Sequence, residues 1–169
     1  MKLLIVVDYQ NDFVDGSLGF PGAELLDEKI ASIIKNYDDV IFTLDTHFDD
    51  YLETFEGKML PVKHTIKGTK GHEVYGKVKE YLKDAKMVFE KPTFPSLELG
   101  NYLTKHPEYT EIDLCGLVSH MCVFSNAVIC KAALPNALIT VLKDYTDSFD
   151  KALEAKSFNV LNGLQIEVK

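Results

Sequence analysis

The chain has 169 residues, 46% hydrophobic and 26% charged, with a mean hydropathy near zero. At that length it is expected to fold as one domain, residues 1–169, burying roughly 70% of its unfolded surface without a disulfide or metal staple. Its 18 basic residues, all lysine, stand against 26 acidic ones for a net charge of −8, which excludes nucleic acid and anionic membrane as partners, since both are held by concentrated positive charge.

In chain order, the first run, Leu3–Val7, is LLIVV, continuously apolar like a strand covered on both faces. It is too short for the apolar region of a signal peptide, and no run approaches the ~18 residues of a membrane span, so a cytoplasmic protein is expected. A loop, Tyr9–Gly22, leads to a helix over Ala23–Asn36, with Leu25, Leu26, Ile30, Ile33 and Ile34 at helical spacing. Strand Val40–Leu44 and a second long loop, Asp45–Gly71, come next. A helix over His72–Leu82 rests on the spacing of Val74, Val78 and Leu82. Then follow strand Met87–Glu90, helix Leu97–Thr104, strand Ile112–Gly116, helix Met121–Ala133, strand Leu138–Leu142, helix Phe149–Leu161 and strand Leu164–Val168. Strands alternating with helices predict a three-layer α/β/α sandwich around a six-stranded parallel sheet, Rossmann-like in class. The apolar stretch Val123–Leu134 suits either the core or a homo-oligomer interface.

Both long loops follow strands, and loops longer than about 12–15 residues are usually functional. In open α/β sheets, ligands bind beyond the carboxyl ends of the strands. The polar residues there are Asp8, Asp45 with His47, Lys91, and Gly116–Cys122. Cys122 falls where a helix opens, and the positive helix end favours the nucleophilic thiolate; a buried structural cysteine is the equal alternative. Cys115, inside a strand, and Cys130, on an apolar helix face, read as structural. Asp8 is either a proton acceptor or a turn-forming aspartate, and Lys91 either its partner or a solvated surface residue. Asp45 and His47 are two residues apart, so an extended backbone puts both on one face; with His64 they make a donor set suited to Zn²⁺, Fe²⁺ or Mn²⁺. Glu56 lies between the histidines as a further candidate. His72, His106 and His120 read as helix-start, surface and loop residues. The absence of arginine disfavours a strongly anionic substrate.

Asp8 in DYQNDFVDGSL, Lys91 in FEKPTF and Cys122 in GLVSHMCV resemble, in order and spacing, the Asp–Lys–Cys triad of the isochorismatase-like cysteine hydrolases. The resemblance spans nearly the whole chain. Within that family, Asp45, His47 and His64, followed by GTKGHEV, are similar to the metal site of the nicotinamidases (pyrazinamidases), and Glu56 resembles a fourth carboxylate ligand found in some members. The resemblance implies that Asp8 takes the Cys122 proton, that Lys91 holds the ion-pair network, and that the amides of Val118 and Cys122 form an oxyanion hole beside a cis Leu117–Val118 peptide. It also implies one divalent metal, zinc ahead of iron or manganese, a small neutral carboxamide as substrate, and a possible homo-oligomer. Phe13 and Phe94, near Asp8 and Lys91, are candidates for packing on the substrate ring. The chain departs from the pattern in having no tryptophan, with Leu60 at about that place, in Ser119-His120 where Thr-Asp is usual, and in His72. The same triad without a metal would serve another amide, ureido or vinyl-ether substrate; a non-catalytic domain reusing the fold is a third reading.

Overall fold

The computed structural model describes residues 1–169. The opening apolar run becomes β1 (Lys2–Val7), buried on both faces: Leu3, Ile5 and Val7 enter one hydrophobic cluster, Leu4 and Val6 another. The division follows from the two-residue period of a strand. β1 is joined by β2 (Asp39–Asp45), β3 (Met87–Lys91), β4 (Glu111–Gly116), β5 (Leu138–Thr146) and β6 (Glu167–Val168), all parallel, in the order β3-β2-β1-β4-β5-β6. On one face α1 (Asn11–Val14) and α2 (Leu26–Ile33) contribute Phe13, Leu26 and Ile30 to the core; α3 (Phe55–Met59) lies within the second long loop. On the other face α4 (Leu97–Leu103), α5 (Phe124–Ala133) and α6 (Lys151–Gly163) contribute Leu99, Ala127, Cys130 and Leu161. This is the expected three-layer α/β/α sandwich. No helix is long and apolar enough to cross a membrane.

Several expected elements differ: the helix over Ala23–Asn36 is α-helical only across Leu26–Ile33, between two 3-10 turns, and the strand from Leu138 runs on to Thr146. The helix over His72–Leu82 is replaced by two 3-10 turns, Lys70–His72 and Val78–Asp84, because Gly76 adopts φ +56° and Val74 pairs with Gln10 in an isolated bridge. The last strand shrinks to Glu167–Val168, since Gln165 turns the chain with φ +60°. The helix expected from Met121 opens earlier, as a π-helical turn over Ser119–Val123 in which the Val123 amide reaches back to the Val118 carbonyl. His120 therefore lies in that turn rather than in a loop. The last helix starts at Lys151, where the Asp150 carboxylate accepts from the Leu153 amide as its N-cap.

The order of strands reverses between β1 and β4, and at such a switch point the connections diverge and leave a crevice. The approach there is close. Gly116 has φ +104°, and a Cβ on it would stand 2.0 Å from the Val7 carbonyl oxygen, so only glycine closes β4 against β1.

Candidate active site

Asp8 leaves β1 in the left-handed region, at φ +45°, which costs a non-glycine residue about 1–3 kcal/mol and turns its carboxylate inward over the strand ends. There it is fully buried. Its Oδ1 accepts a 2.7 Å hydrogen bond from Thr43, and its Oδ2 lies 2.5 Å from Lys91 Nζ. The ammonium, only 1% exposed, also stands 3.3 Å from Asp45 Oδ1 and 3.6 Å from Cys122 Sγ, and donates to the Thr93 carbonyl at 3.0 Å. Lys91 is thus a buried hub, not the solvated strand-end lysine of the alternative reading.

Burial sets the charge states. It pushes the Cys122 thiol well above its ordinary range; Lys91 opposes the shift, while Asp8 adds to it as a charge and a hydrogen-bond partner. Burial thus opposes the pull of the helix end and of Lys91 toward thiolate. Burial also raises the Asp8 carboxyl, against the ammonium beside it, which makes it a better proton acceptor than an ordinary carboxylate. Lys91 resists the lowering effect of burial because Asp8, Cys122 and Asp45 surround it, and its pKa is raised.

Beside this group lie Asp45, His47 and His64, all buried, with one ligand atom from each within 4.8 Å of the others. Asp45 Oδ2 is 3.2 Å from His47 Nε2 and 3.4 Å from His64 Nε2, and Glu56 Oε1 is 3.6 and 3.9 Å from the same nitrogens. His64 Nδ1 lies 2.8 Å from the Val62 carbonyl, a bond it makes as a donor, so its Nε2 lone pair faces the carboxylates. His47 Nε2 is buried and faces the Asp45 and Glu56 carboxylates without a well-directed hydrogen bond. Burial disfavours a proton on His47, but Asp45 and Glu56 overcome it and raise the imidazole to about 9. Two imidazole nitrogens converging on two carboxylates, which draw positive charge to that point, fit a divalent metal ion.

The DYQNDF segment explains how two long loops hold these donors still. Gln10, fully buried, accepts from the Asp45 amide (2.8 Å) and donates to the carbonyls of Asp45 (2.9 Å) and His72 (2.8 Å). Asn11 donates to the Lys70 carbonyl at 2.6 Å, and Asp12 accepts from the Thr65 amide at 2.7 Å. Thr65, at φ +44°, turns its hydroxyl to donate to Asp45 Oδ2 at 2.9 Å. On the far side, Asn126 in α5 holds the Ser96 amide and the Phe94 carbonyl, which fixes the turn after β3. Sequence reading missed Gln10, Asp12, Thr65 and Asn126; a run of amide and carboxylate side chains beside a glycine-rich loop was the available signal.

Cys122, Asp45, Glu56 and His64 open onto a cavity of about 370 Å³, which Phe13 and Phe94 also line. The peptide between Leu117 and Val118 is cis, and the Val118 amide has no backbone partner. His72 shares a 2.8 Å hydrogen bond with Thr46, and His106 stacks on Tyr102; neither reaches the cavity.

An Isochorismatase domain model matches residues 2–168. An isochorismatase family protein of Bacillus subtilis, described as uncharacterized, is 31% identical over 142 residues, covering 75% of this chain and 76% of that one. The nicotinamidase of Saccharomyces cerevisiae is 27% identical over 86% of this chain and 88% of its own. The crystal structure of the nicotinamidase/pyrazinamidase of B. subtilis superposes with a TM-score of 0.84 at 29% identity, covering 99% of this chain and 98% of that one. With matching fold, strand-end chemistry and domain model, the chain belongs to the isochorismatase family.

Proposed function

We propose that this protein is a metal-dependent cysteine amidohydrolase that deamidates nicotinamide to nicotinate and ammonia. The observation that carries the reading is the meeting of Lys91, Asp8 and Cys122, with Nζ 2.5 Å from the carboxylate and 3.6 Å from the sulfur, beside a set of metal-type donors. Relatives named as nicotinamidases support hydrolysis of a carboxamide.

In the proposed reaction, Asp8 takes the proton from Cys122 as the sulfur bonds to the carboxamide carbon, so charge forms on sulfur only when substrate consumes it. Lys91 remains an ammonium and balances Asp8 before transfer and the developing negative charge afterwards. The free amide of Val118, with that of Cys122 at the helix start, donates to the tetrahedral oxyanion. Asp8 returns its proton to the amide nitrogen, the C–N bond breaks and ammonia leaves a thioester on Cys122. Water, deprotonated by Asp8, then attacks the acyl carbon; the C–S bond breaks and the thiol recovers a proton.

Asp45, His47 and His64, with Glu56, would hold the divalent ion, zinc by the mixture of nitrogen and oxygen donors. Held there, such an ion would supply Lewis-acid chemistry toward a donor atom of the substrate ring. Phe13, its ring 5.7 Å from that of His64, and Phe94 would pack on the ring. The three free cysteines support a reducing, cytoplasmic setting. The test is ammonia release from nicotinamide by wild type, Cys122→Ala and His64→Ala. Activity in wild type alone is expected, and a fully active Cys122→Ala protein would overturn the proposal.

A further inference from the structure

The cavity is larger than a single pyridine carboxamide needs. An apolar cavity of about 150 Å³ accommodates benzene, and this one holds about 370 Å³. Its inner end carries the reacting groups, where Cys122, Asp45, His64 and Phe13 are buried. Its outer end is apolar and is finished by an aromatic pair, Phe20 and Phe149, with ring centroids 6.1 Å apart at an interplanar angle of 73°.

Phe149 is 62% exposed, and a scattered exposed aromatic needs no explanation. This one is held from three sides. The residue before it, Ser148, is buried; its hydroxyl shares a 2.8 Å hydrogen bond with His120 Nδ1 and accepts from the Asp150 amide at 2.9 Å. The residue after it caps α6. The His120 ring meets the Phe149 ring edge to face at 5.3 Å. A fixed aromatic face open to solvent, at the mouth of a cavity whose floor holds a nucleophile, loses little conformational entropy on taking up a second ring.

Charge narrows the ligand further. No lysine lines the cavity, whereas Asp45 and Glu56 do, so the outer end offers no counter-ion to an anionic substituent. We infer that Phe20 and Phe149 form an outer subsite that takes a second, uncharged ring, so that this enzyme accepts neutral two-ring aryl carboxamides as well as a one-ring amide. This inference rests on the proposed carboxamide hydrolysis and specifies its substrate class.

The probe is 5-phenylnicotinamide, which keeps the ring nitrogen and carboxamide free and extends the ring with a neutral aryl group. Ammonia release is measured from it and from nicotinamide, with zinc present, for wild type, Phe20→Ala and Phe149→Ala. Wild type is expected to turn over both amides. Each substitution is expected to lower the ratio of kcat/KM for the two-ring amide to that for nicotinamide by about twofold to tenfold, the worth of one aromatic contact. Phe149→Leu, which keeps apolar bulk without a ring, is expected to lower it as well. Deamidation of nicotinamide without 5-phenylnicotinamide, or a ratio unmoved by both alanine substitutions, would overturn the subsite alone. Release of ammonia from neither amide would overturn the hydrolase reading beneath it.

Discussion

Asp45 and Lys91 end adjacent strands in the same register, and the Asp45 carboxylate turns one oxygen to Lys91 and the other to two imidazoles. Oδ1 lies 3.3 Å from Lys91 Nζ, while Oδ2 faces the imidazoles of His47 and His64 at 3.2 and 3.4 Å. One side chain thus joins the Asp8–Lys91 ion pair beside Cys122 to the candidate metal donors. Asp45→Asn is expected to lose bound metal and to lower kcat even when excess zinc is supplied, as metal content and initial rates would report. Full activity with restored metal would show that the Lys91 contact has no consequence.

Thr65 orients the other half of that carboxylate. Thr65→Val keeps the shape but removes the 2.9 Å hydrogen bond to Oδ2. Outer-shell changes of this kind cost about 10–100-fold in metal affinity. The expected result in a competitive zinc titration is a loss in that range, with thermal unfolding of the metal-free protein little changed.

Asp8 and Lys91 are buried charges that only make sense together. Lys91→Met leaves Asp8 uncompensated, and removing one partner of a buried pair costs about 3–5 kcal/mol. Urea unfolding should show that loss, and Asp8→Asn with Lys91→Met should recover much of it. Both proteins should be inactive if, as proposed, the pair serves proton transfer.

Much of this arrangement is legible in the sequence. LLIVV reads as a doubly covered strand, and strand–helix alternation gives the parallel sheet and so the edge where polar residues gather. Elements went astray where local geometry overrode periodicity. Val74 and Val78 keep helical spacing, yet Gly76 at φ +56° breaks the segment between them. The π-helical turn that carries Cys122 depends on which carbonyl an amide chooses, and side-chain pattern does not encode that choice. The two readings of Cys122 stayed equal for a related reason, since a helix end is visible in sequence but the depth of burial is not. Gln10, Asp12 and Thr65 went unnoticed because each acts on a backbone or carboxylate atom 20 or more residues away in the chain, which only the fold brings near.

Gly116 tests whether the crevice depends on the close approach of β1 and β4. Gly116→Ala would force a Cβ to within 2.0 Å of the Val7 carbonyl oxygen at φ +104°, whereas a Cβ at Gly163 meets nothing within 4 Å. Gly116→Ala is expected to lose roughly 2 kcal/mol or more in urea unfolding, together with activity. Gly163→Ala should be neutral, or more stable by about 0.4–1 kcal/mol.

The most direct measurement is mass spectrometry of the intact protein, acid-quenched during turnover of nicotinamide, with peptide mapping of its three cysteines. A nicotinoyl thioester on Cys122, absent from Cys115 and Cys130 and absent in Cys122→Ala, is the expected result. Steady ammonia release with no acyl group on Cys122, accompanied by turnover in Cys122→Ala, would contradict it.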